Sequence, residues 1–233
     1  MSDKKTPWRV LVINPGSTST KVGVFEGDEC KLSKNVAHDA KDLAQFDGVS
    51  AQMPYRCDLI LAALDEAGLS LDDFDAFVGR GGGLLSLPGG TYAINEVMLE
   101  HARIGANGVR HPAQLGPQIA HEFASKTGKP SFVVNPPDTD ELCDLARMTG
   151  IKGVYRNVHL HALNLKETAI RHAAKLGRAY DECNFIVCHI GGGISISAHL
   201  KGKMVDGNDI VGADALRIGS RDRGRKVHRG ARS

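Results

Sequence analysis

Two apolar segments of this chain each run into a short turn of glycine and hydroxyl residues, then out again into a second apolar segment. Residues 9–14 (RVLVIN) lead through the turn of NPGSTSTK into residues 21–26 (KVGVFE). Residues 184–189 (NFIVCH) lead through a glycine turn into residues 195–200 (SISAHL). Short apolar runs rich in β-branched residues and bounded by turn residues read as strands. Residue identity between the two stretches is very low, so they repeat a plan and not a sequence. Turns of this kind expose backbone N–H groups to anions. Two of them predict two domains gripping phosphates from both sides of a cleft.

The rest of the pattern fits that plan. Residues 30–37 predict a third strand. Residues 50–67 predict a helix with Leu59, Ile60, Ala63 and Leu64 on its apolar face and Gly68 as its stop. Residues 74–78 predict a strand that ends in the glycines around Arg80, and residues 131–134 predict another. Helical spacing recurs at 95–104, 113–127, 139–149 and 158–176. Strands alternating with helices predict an α/β protein with mixed sheets. The expected division is residues 1–157 for a first domain and 158–212 for the start of a second.

Composition excludes several other classes. A chain of 233 residues, 42% apolar and 24% charged, can bury a core in each of two domains. The five cysteines lack metal-ligand spacing and are odd in number, so free thiols in a reducing compartment are expected. No apolar run approaches the roughly 18–20 residues of a membrane helix, and the start MSDKKTPW has no signal-peptide core. A cytoplasmic protein with no membrane partner is therefore expected. The formal net charge of +2 hides an asymmetry: residues 213–233 hold seven of the 29 basic residues and two of the 27 acids, leaving −3 on residues 1–212. That basic tail has no aromatic residue for stacking and no binding motif, so nucleic acid is not an expected partner.

The turn from Asn14 to Lys21 carries the most chemistry. Gly16 lets the backbone approach an anion, Ser17, Thr18, Ser19 and Thr20 can donate hydrogen bonds, and Lys21 adds a point charge. The string is neither GxxxxGK[ST] nor GxGxxG, and a merely polar hairpin turn is the alternative. Arg80, at a strand end among glycines, can hold a carboxylate or phosphate with its planar fork, or be a surface arginine beside a loose turn. His189 stands at the mouth of the Gly191-Gly192-Gly193 turn, which can admit a phosphate chain or simply be tight. His161 falls near the start of the 158–176 helix, where a histidine serves either structure or chemistry.

The strings INPGSTSTK, GRGGGLL, HALN and IVCHIGGGIS, in that order, resemble the motifs of the acetate and butyrate kinase family, within the larger actin, sugar kinase and heat-shock ATPase fold. The resemblance runs from Val10 to Gly212. Acetate kinases carry a second histidine in the helix motif, where HALN has Asn164, and an asparagine in the glycine turn, where Gly192 stands here. The butyrate kinase branch is therefore the nearer one. The resemblance implies phosphoryl transfer between ATP and butanoate, giving butanoyl phosphate and ADP, with Mg2+ and ATP/ADP as cofactors. It implies a small carboxylate as substrate partner and a homo-oligomer for the full-length protein. It places Asn14 at the metal, and Lys21, Ser17 and Ser19 at the nucleotide phosphates with His189, Gly191, Gly192 and Gly193. It makes Arg80 the ligand of the carboxylate or the phosphoryl group in flight, and His161 a hydrogen-bond donor to the transition state.

Two positions depart from the family pattern. Asn135 stands where the family usually has a catalytic aspartate. Its carbonyl can still accept a hydrogen bond from a metal-bound water, and Asp138 or Asp140 could supply the missing charge. From residue 213 onward the sequence matches nothing in the family, which continues there with a second active-site arginine and the rest of its nucleotide domain. The tail is expected to be out of frame or disordered, and the chain by itself inactive. The alternatives are another short- or branched-chain carboxylate kinase, acetate kinase-like in chemistry, and a non-catalytic remnant that binds anions.

Overall fold

The structure, a computed structural model, describes residues 7–191 and 193–208; Gly192 and the basic tail lie outside the described residues. The described residues within Met1–Leu85 and Thr91–Val134 make one compact unit, and those within Ser86–Gly90 and Asn135–Ser233 make a second.

The first unit contains strands β1 (Arg9–Pro15), β2 (Ser19–Glu26), β3 (Glu29–Ala37), β4 (Ala76–Gly79), β5 (Thr91–Ala93) and β6 (Ser131–Val134). Its helices are α1 (Ala40–Leu43), α2 (Met53–Asp65), α3 (Glu96–Ile104) and α4 (Leu115–Thr127). The strands form one six-stranded mixed sheet in the order β3-β2-β1-β4-β6-β5. β1, β4 and β6 run parallel, and the remaining neighbours pair antiparallel. Leu11 and Ile13 of β1 and Val22 and Val24 of β2 alternate onto one face. There they meet Ile60 and Leu64 of α2, Ile119 and Phe123 of α4, and Phe74 and Phe77. Each such side chain contributes about 1.5–3 kcal/mol by leaving water, which fixes the register, since a one-residue slip would turn the apolar set outward.

The start of α4 approaches the end of β4 backbone to backbone. A Cβ at Gly79 would stand 2.2 Å from the Gly116 carbonyl oxygen, and one at Gly116 would stand 2.0 Å from that of Arg80. Only glycine fits at either position, and the contact fixes where Arg80 leaves the sheet.

The second unit holds β7 (Asn184–Ile190), β8 (Ile194–Leu200) and β9 (Lys203–Gly207) as a three-stranded antiparallel sheet, with helices α5 (Asp144–Arg147) and α6 (Ala162–Lys175). Ala162, Leu165 and Ala169 of α6 pack with Leu142, Leu160, Val187 and Met204. Lys166 lies on the same buried face. Its Nζ sits 2.9 and 2.7 Å from the two carboxylate oxygens of Glu141, which also accept from the N–H groups of Met204 at 2.8 Å and Gly89 at 3.2 Å. Burial alone would push the Glu141 carboxyl up, but the Lys166 bond and these N–H donors together hold it below the ordinary carboxylate range.

Two predicted helices differ from what forms. Residues 139–149 yield only the single turn of α5. Upstream of it the chain is extended, because Thr139 bridges Leu87, Asp140 N–H donates to Leu87 and Cys143 N–H donates to Val205. Long-range pairing thus outcompetes a weak local pattern. The 158–176 helix begins four residues late, since Leu160 N–H is committed to the carbonyl of Pro137. His161 is consequently the N-cap of α6 and not part of its first turn.

Candidate functional site

In the first unit, the predicted residues converge at the carboxyl ends of β1 and β4, where parallel strands commonly present ligands. Asn14 and Lys21 are direct cross-strand partners of β1 and β2, so their side chains share a face. Arg80 follows β4 on the other side of β1. Its N–H donates to the Ile13 carbonyl at 2.8 Å, and its Nη1 lies 3.4 Å from Asn14 Oδ1, a long contact. Lys21, Asn14 and Arg80 therefore stand abreast on three neighbouring strands. Neither cation has an acidic partner among the described residues. Burial alone lowers the pKa of the Arg80 guanidinium. The turn between β1 and β2 closes by Gly16 N–H donating to Ser19 at 2.7 Å, with Ser17 exposed and Ser19 half-buried beside it. Two cations, a neutral amide and outward hydroxyls make an arrangement that favours an anion.

The second unit gathers the remaining candidates. His161 Nδ1 lies 2.8 Å from Ser195 Oγ on β8, and the same oxygen accepts from His161 N–H at 3.3 Å. The imidazole of His161 stacks on that of His189 with centroids 3.9 Å apart and planes 22° from parallel. His189 Nδ1 in turn lies 3.2 Å from Asn164 Oδ1, in the first turn of α6. The HALN segment and the strand before the glycine turn thus meet through both histidines. Gly191 N–H closes on the carbonyl of Gly193 at 3.1 Å, while Gly192, between them, lies outside the described residues.

Asn135 occupies a left-handed backbone conformation, φ 38°. Its Oδ1 accepts from Gly90 N–H at 2.8 Å and its own N–H donates to the Gly90 carbonyl at 2.9 Å. One side-chain lone pair is therefore already used in holding two segments of this unit together. Of the acids considered beside it, Asp140 is engaged by both Arg147 nitrogens at 2.8 Å, and Asp138 is buried with His159 Nδ1 at 3.5 Å.

Sequence patterns alone did not expose Arg56 and His38, which lie behind the β1–β2 turn, or Ser195, which holds His161; Thr20, expected to offer its hydroxyl to an anion, is instead buried and bonded to Arg56 and His38. Two signals pointed to them. Arg56 interrupts the buried stripe of α2, and Ser195, Ser197 and His199 alternate on the inward face of β8, where an apolar set would be ordinary.

No protein-family model matches the chain. Among curated proteins it is 44% identical over 202 residues to a probable butyrate kinase of Elusimicrobium minutum, covering 86% of this chain and 54% of that protein. It is 40% identical over 207 residues to a probable butyrate kinase of Clostridium botulinum, covering 89% of this chain and 58% of that protein. The chain thus spans little more than half the length of the curated relatives it matches. Among solved structures it resembles the acetate kinase of Entamoeba histolytica, TM-score 0.61 at 18% identity over 92% of this chain and 60% of that one. It also resembles the acetate kinase of Porphyromonas gingivalis, TM-score 0.59 at 20% identity over 88% and 58%. At these identities the likeness is one of fold, and it bears out the α/β, mixed-sheet, actin-like class expected from the sequence.

Proposed function

Because the chain belongs to the acetate and butyrate kinase family, over little more than half the length of its relatives, we propose that it carries the acceptor side and the first part of the nucleotide site of an ATP-dependent butyrate kinase. The reaction joins a carboxylate oxygen of butanoate to the γ-phosphorus of ATP and breaks the bond to the β-phosphate bridging oxygen. Butanoyl phosphate and ADP are the products. A carboxylate is already ionised near pH 7, so no strong general base is required. Catalysis then rests on positioning and on stabilising the charge of a loose, metaphosphate-like transition state.

In this reading Arg80 binds the carboxylate or the phosphoryl group in flight, and Lys21, Ser17 and Ser19 meet nucleotide phosphate oxygens. His161 donates a hydrogen bond to the transition state, held by Ser195. His189 and Gly191, Gly192 and Gly193 line the nucleotide phosphates. Asn135 orients a metal-bound water through its remaining lone pair. Asn14 offers one neutral oxygen to Mg2+ beside two cations, and the described residues hold no cluster of three His, Cys, Asp or Glu that could bind an ion alone. Those residues fit a magnesium ion that arrives already carried on ATP phosphates, with Asn14 completing its shell directly or through water. Bound there, the ion neutralises charge on the phosphates.

Residues 1–157 correspond in this proposal to the first domain and 158–212 to the opening of the nucleotide domain, a boundary in sequence that falls inside the second compact unit, and 213–233 carry no assigned role. The 233-residue chain by itself is inactive, and a cytoplasmic homo-oligomer is the working form at full length. The observation that supports the reading best is the row Lys21, Asn14 and Arg80 across β2, β1 and the end of β4, with no acid among the described residues to neutralise it. The test is hydroxylamine trapping of acyl phosphate from Mg·ATP with butanoate, propionate or acetate, using the 233-residue chain and a version extended to the relatives' length. Butanoate as best substrate of the extended protein, and no product from the short chain, is the expected result. Equal or better turnover of acetate would move the assignment to another carboxylate kinase. Failure of both proteins, with phosphate binding retained, would favour the anion-binding remnant.

A further inference from the structure

Arg56 is fully buried on α2, and its acceptors are all neutral. Its Nε and Nη2 lie 3.2 and 2.9 Å from Oε1 of Gln52, the N-cap residue of α2. Its Nη1 donates at 3.0 Å both to the carbonyl of Gly16 and to Thr20 Oγ1. No carboxylate pairs with it among the described residues. A buried guanidinium normally has such a partner, because an unpaired charge away from water is costly.

The bonds reach the two ends of the β1–β2 turn from behind. Arginine can only donate, so Thr20 Oγ1 accepts from it, and the same oxygen lies 2.8 Å from His38 Nε2. The backbone N–H of His38 donates to the carbonyl of Thr18 at 2.9 Å. Residues 16, 18 and 20 are thus each held on the inner side. A trans peptide points its carbonyl and its N–H in opposite directions. With the Gly16 carbonyl drawn toward α2, the N–H of Ser17 must face outward, where it has no partner among the described residues. Ser17 and Lys21 are exposed and Ser19 half-buried on that outer side.

We propose that Arg56 is the positioning residue of this turn: its planar fork turns the backbone N–H and hydroxyl groups of residues 17–19 outward, and its charge awaits a phosphate bound in front of them as counter-ion. This rests on the reading of the turn as a phosphate site and adds the group that shapes it. Arg56 touches no substrate and acts through Gly16 and Thr20.

The probe is inorganic phosphate, titrated into the 233-residue chain at low salt while the amide resonances of residues 16–21 are followed. The unsubstituted chain should bind, with the largest shifts at Ser17 and Ser19. Arg56→Met should weaken phosphate about tenfold or more with amide dispersion outside the turn unchanged. Arg56→Lys keeps a charge but not the fork and should weaken it about fivefold. A role in stability alone would lower the melting midpoint of both variants without changing affinity. If Arg56→Met does not fold, the Lys variant decides. Wild-type affinity in a folded Arg56 variant overturns the role of Arg56 and leaves the phosphate site standing. No binding by the unsubstituted chain overturns the phosphate site itself, and Arg56 with it.

Discussion

Arg80 and Asn135 show how differently single residues announce themselves. Arg80 sits after a strand and among glycines, and the structure adds that its backbone N–H ties it to β1 at 2.8 Å, while its side chain makes only a long 3.4 Å contact there with Asn14. Arg80→Ala should therefore leave the melting midpoint nearly unchanged. If Arg80 holds the reacting group as proposed, its loss in a chain extended to its relatives' length should cost about one to two orders of magnitude in butanoyl phosphate formation, the equivalent of a charge-assisted contact of ~1.5–3 kcal/mol. Near-normal turnover would remove Arg80 from the site. Asn135 could be matched to a family aspartate by position, but no local pattern revealed its positive φ. Asparagine and aspartate tolerate that conformation, and both can accept from Gly90 N–H. Asn135→Asp should thus alter stability by less than about 0.5 kcal/mol, whereas Asn135→Ala loses the acceptor and adds strain, costing roughly 1–3 kcal/mol. Urea titrations of the two variants make the comparison, and equal midpoints would deny the clamp.

At the level of elements, strands with clean alternation were legible and helices with long-range competitors were not. Residues 131–134 form β6 as expected, and β1, β2 and β3 differ from their predicted ranges by one or two residues. The miss at 139–149 arises because its backbone groups are claimed by Leu87 and Val205, which lie far away in sequence. Strand β5 has three residues and owes its place to pairing with β6, so no period could mark it. The glycine cluster around Arg80 is visible in the sequence, yet the decisive glycine partner, Gly116, lies in the first turn of α4. Gly116→Ala should be far worse than the small helix-propensity gain it would bring elsewhere. Its Cβ would meet the Arg80 carbonyl oxygen at 2.0 Å, backbone against side chain, so α4 must move off β4. A loss of about 3 kcal/mol or more in the unfolding free energy of the first unit is expected from overpacking of this kind. Hydrogen exchange at Phe77 and Ile119 would report it. Unchanged protection there would mean that α4 does not rest on β4 as described.

Across the whole molecule, both compact units bury a neutral histidine in a hydroxyl network. In the first, His38 meets Thr20; in the second, His199 lies 2.6 Å from both the Tyr180 hydroxyl and Ser197 Oγ. A neutral ring there donates through one nitrogen and accepts through the other, so both hydroxyls can be satisfied. Burial, then the Arg56 charge, pushes His38 down from 6.5 to about 4; burial, then the Lys166 charge, does the same to His199. These networks were invisible in the sequence, because a histidine on a strand pattern carries no mark of the arginine or lysine that will face it from a helix. The consequence has a definite sign. A histidine whose folded pKa is depressed binds its proton more readily in the unfolded chain, so stability is complete above about pH 6.5 and falls as the pH drops toward 4. By pH 5 each histidine should cost its own unit about 2 kcal/mol relative to pH 7. Glu141, held low by Lys166, adds to the loss only further down, as the pH passes through the carboxylate range. The measurement is urea unfolding at pH 7, 6 and 5, with hydrogen exchange at Ile13 for the first unit and at Val187 for the second. Parallel losses in both units are expected, and replacing His199 by Gln should flatten the response of the second unit alone. Stability that stays level from pH 7 to 5 would mean that the two histidines are not buried as neutral rings.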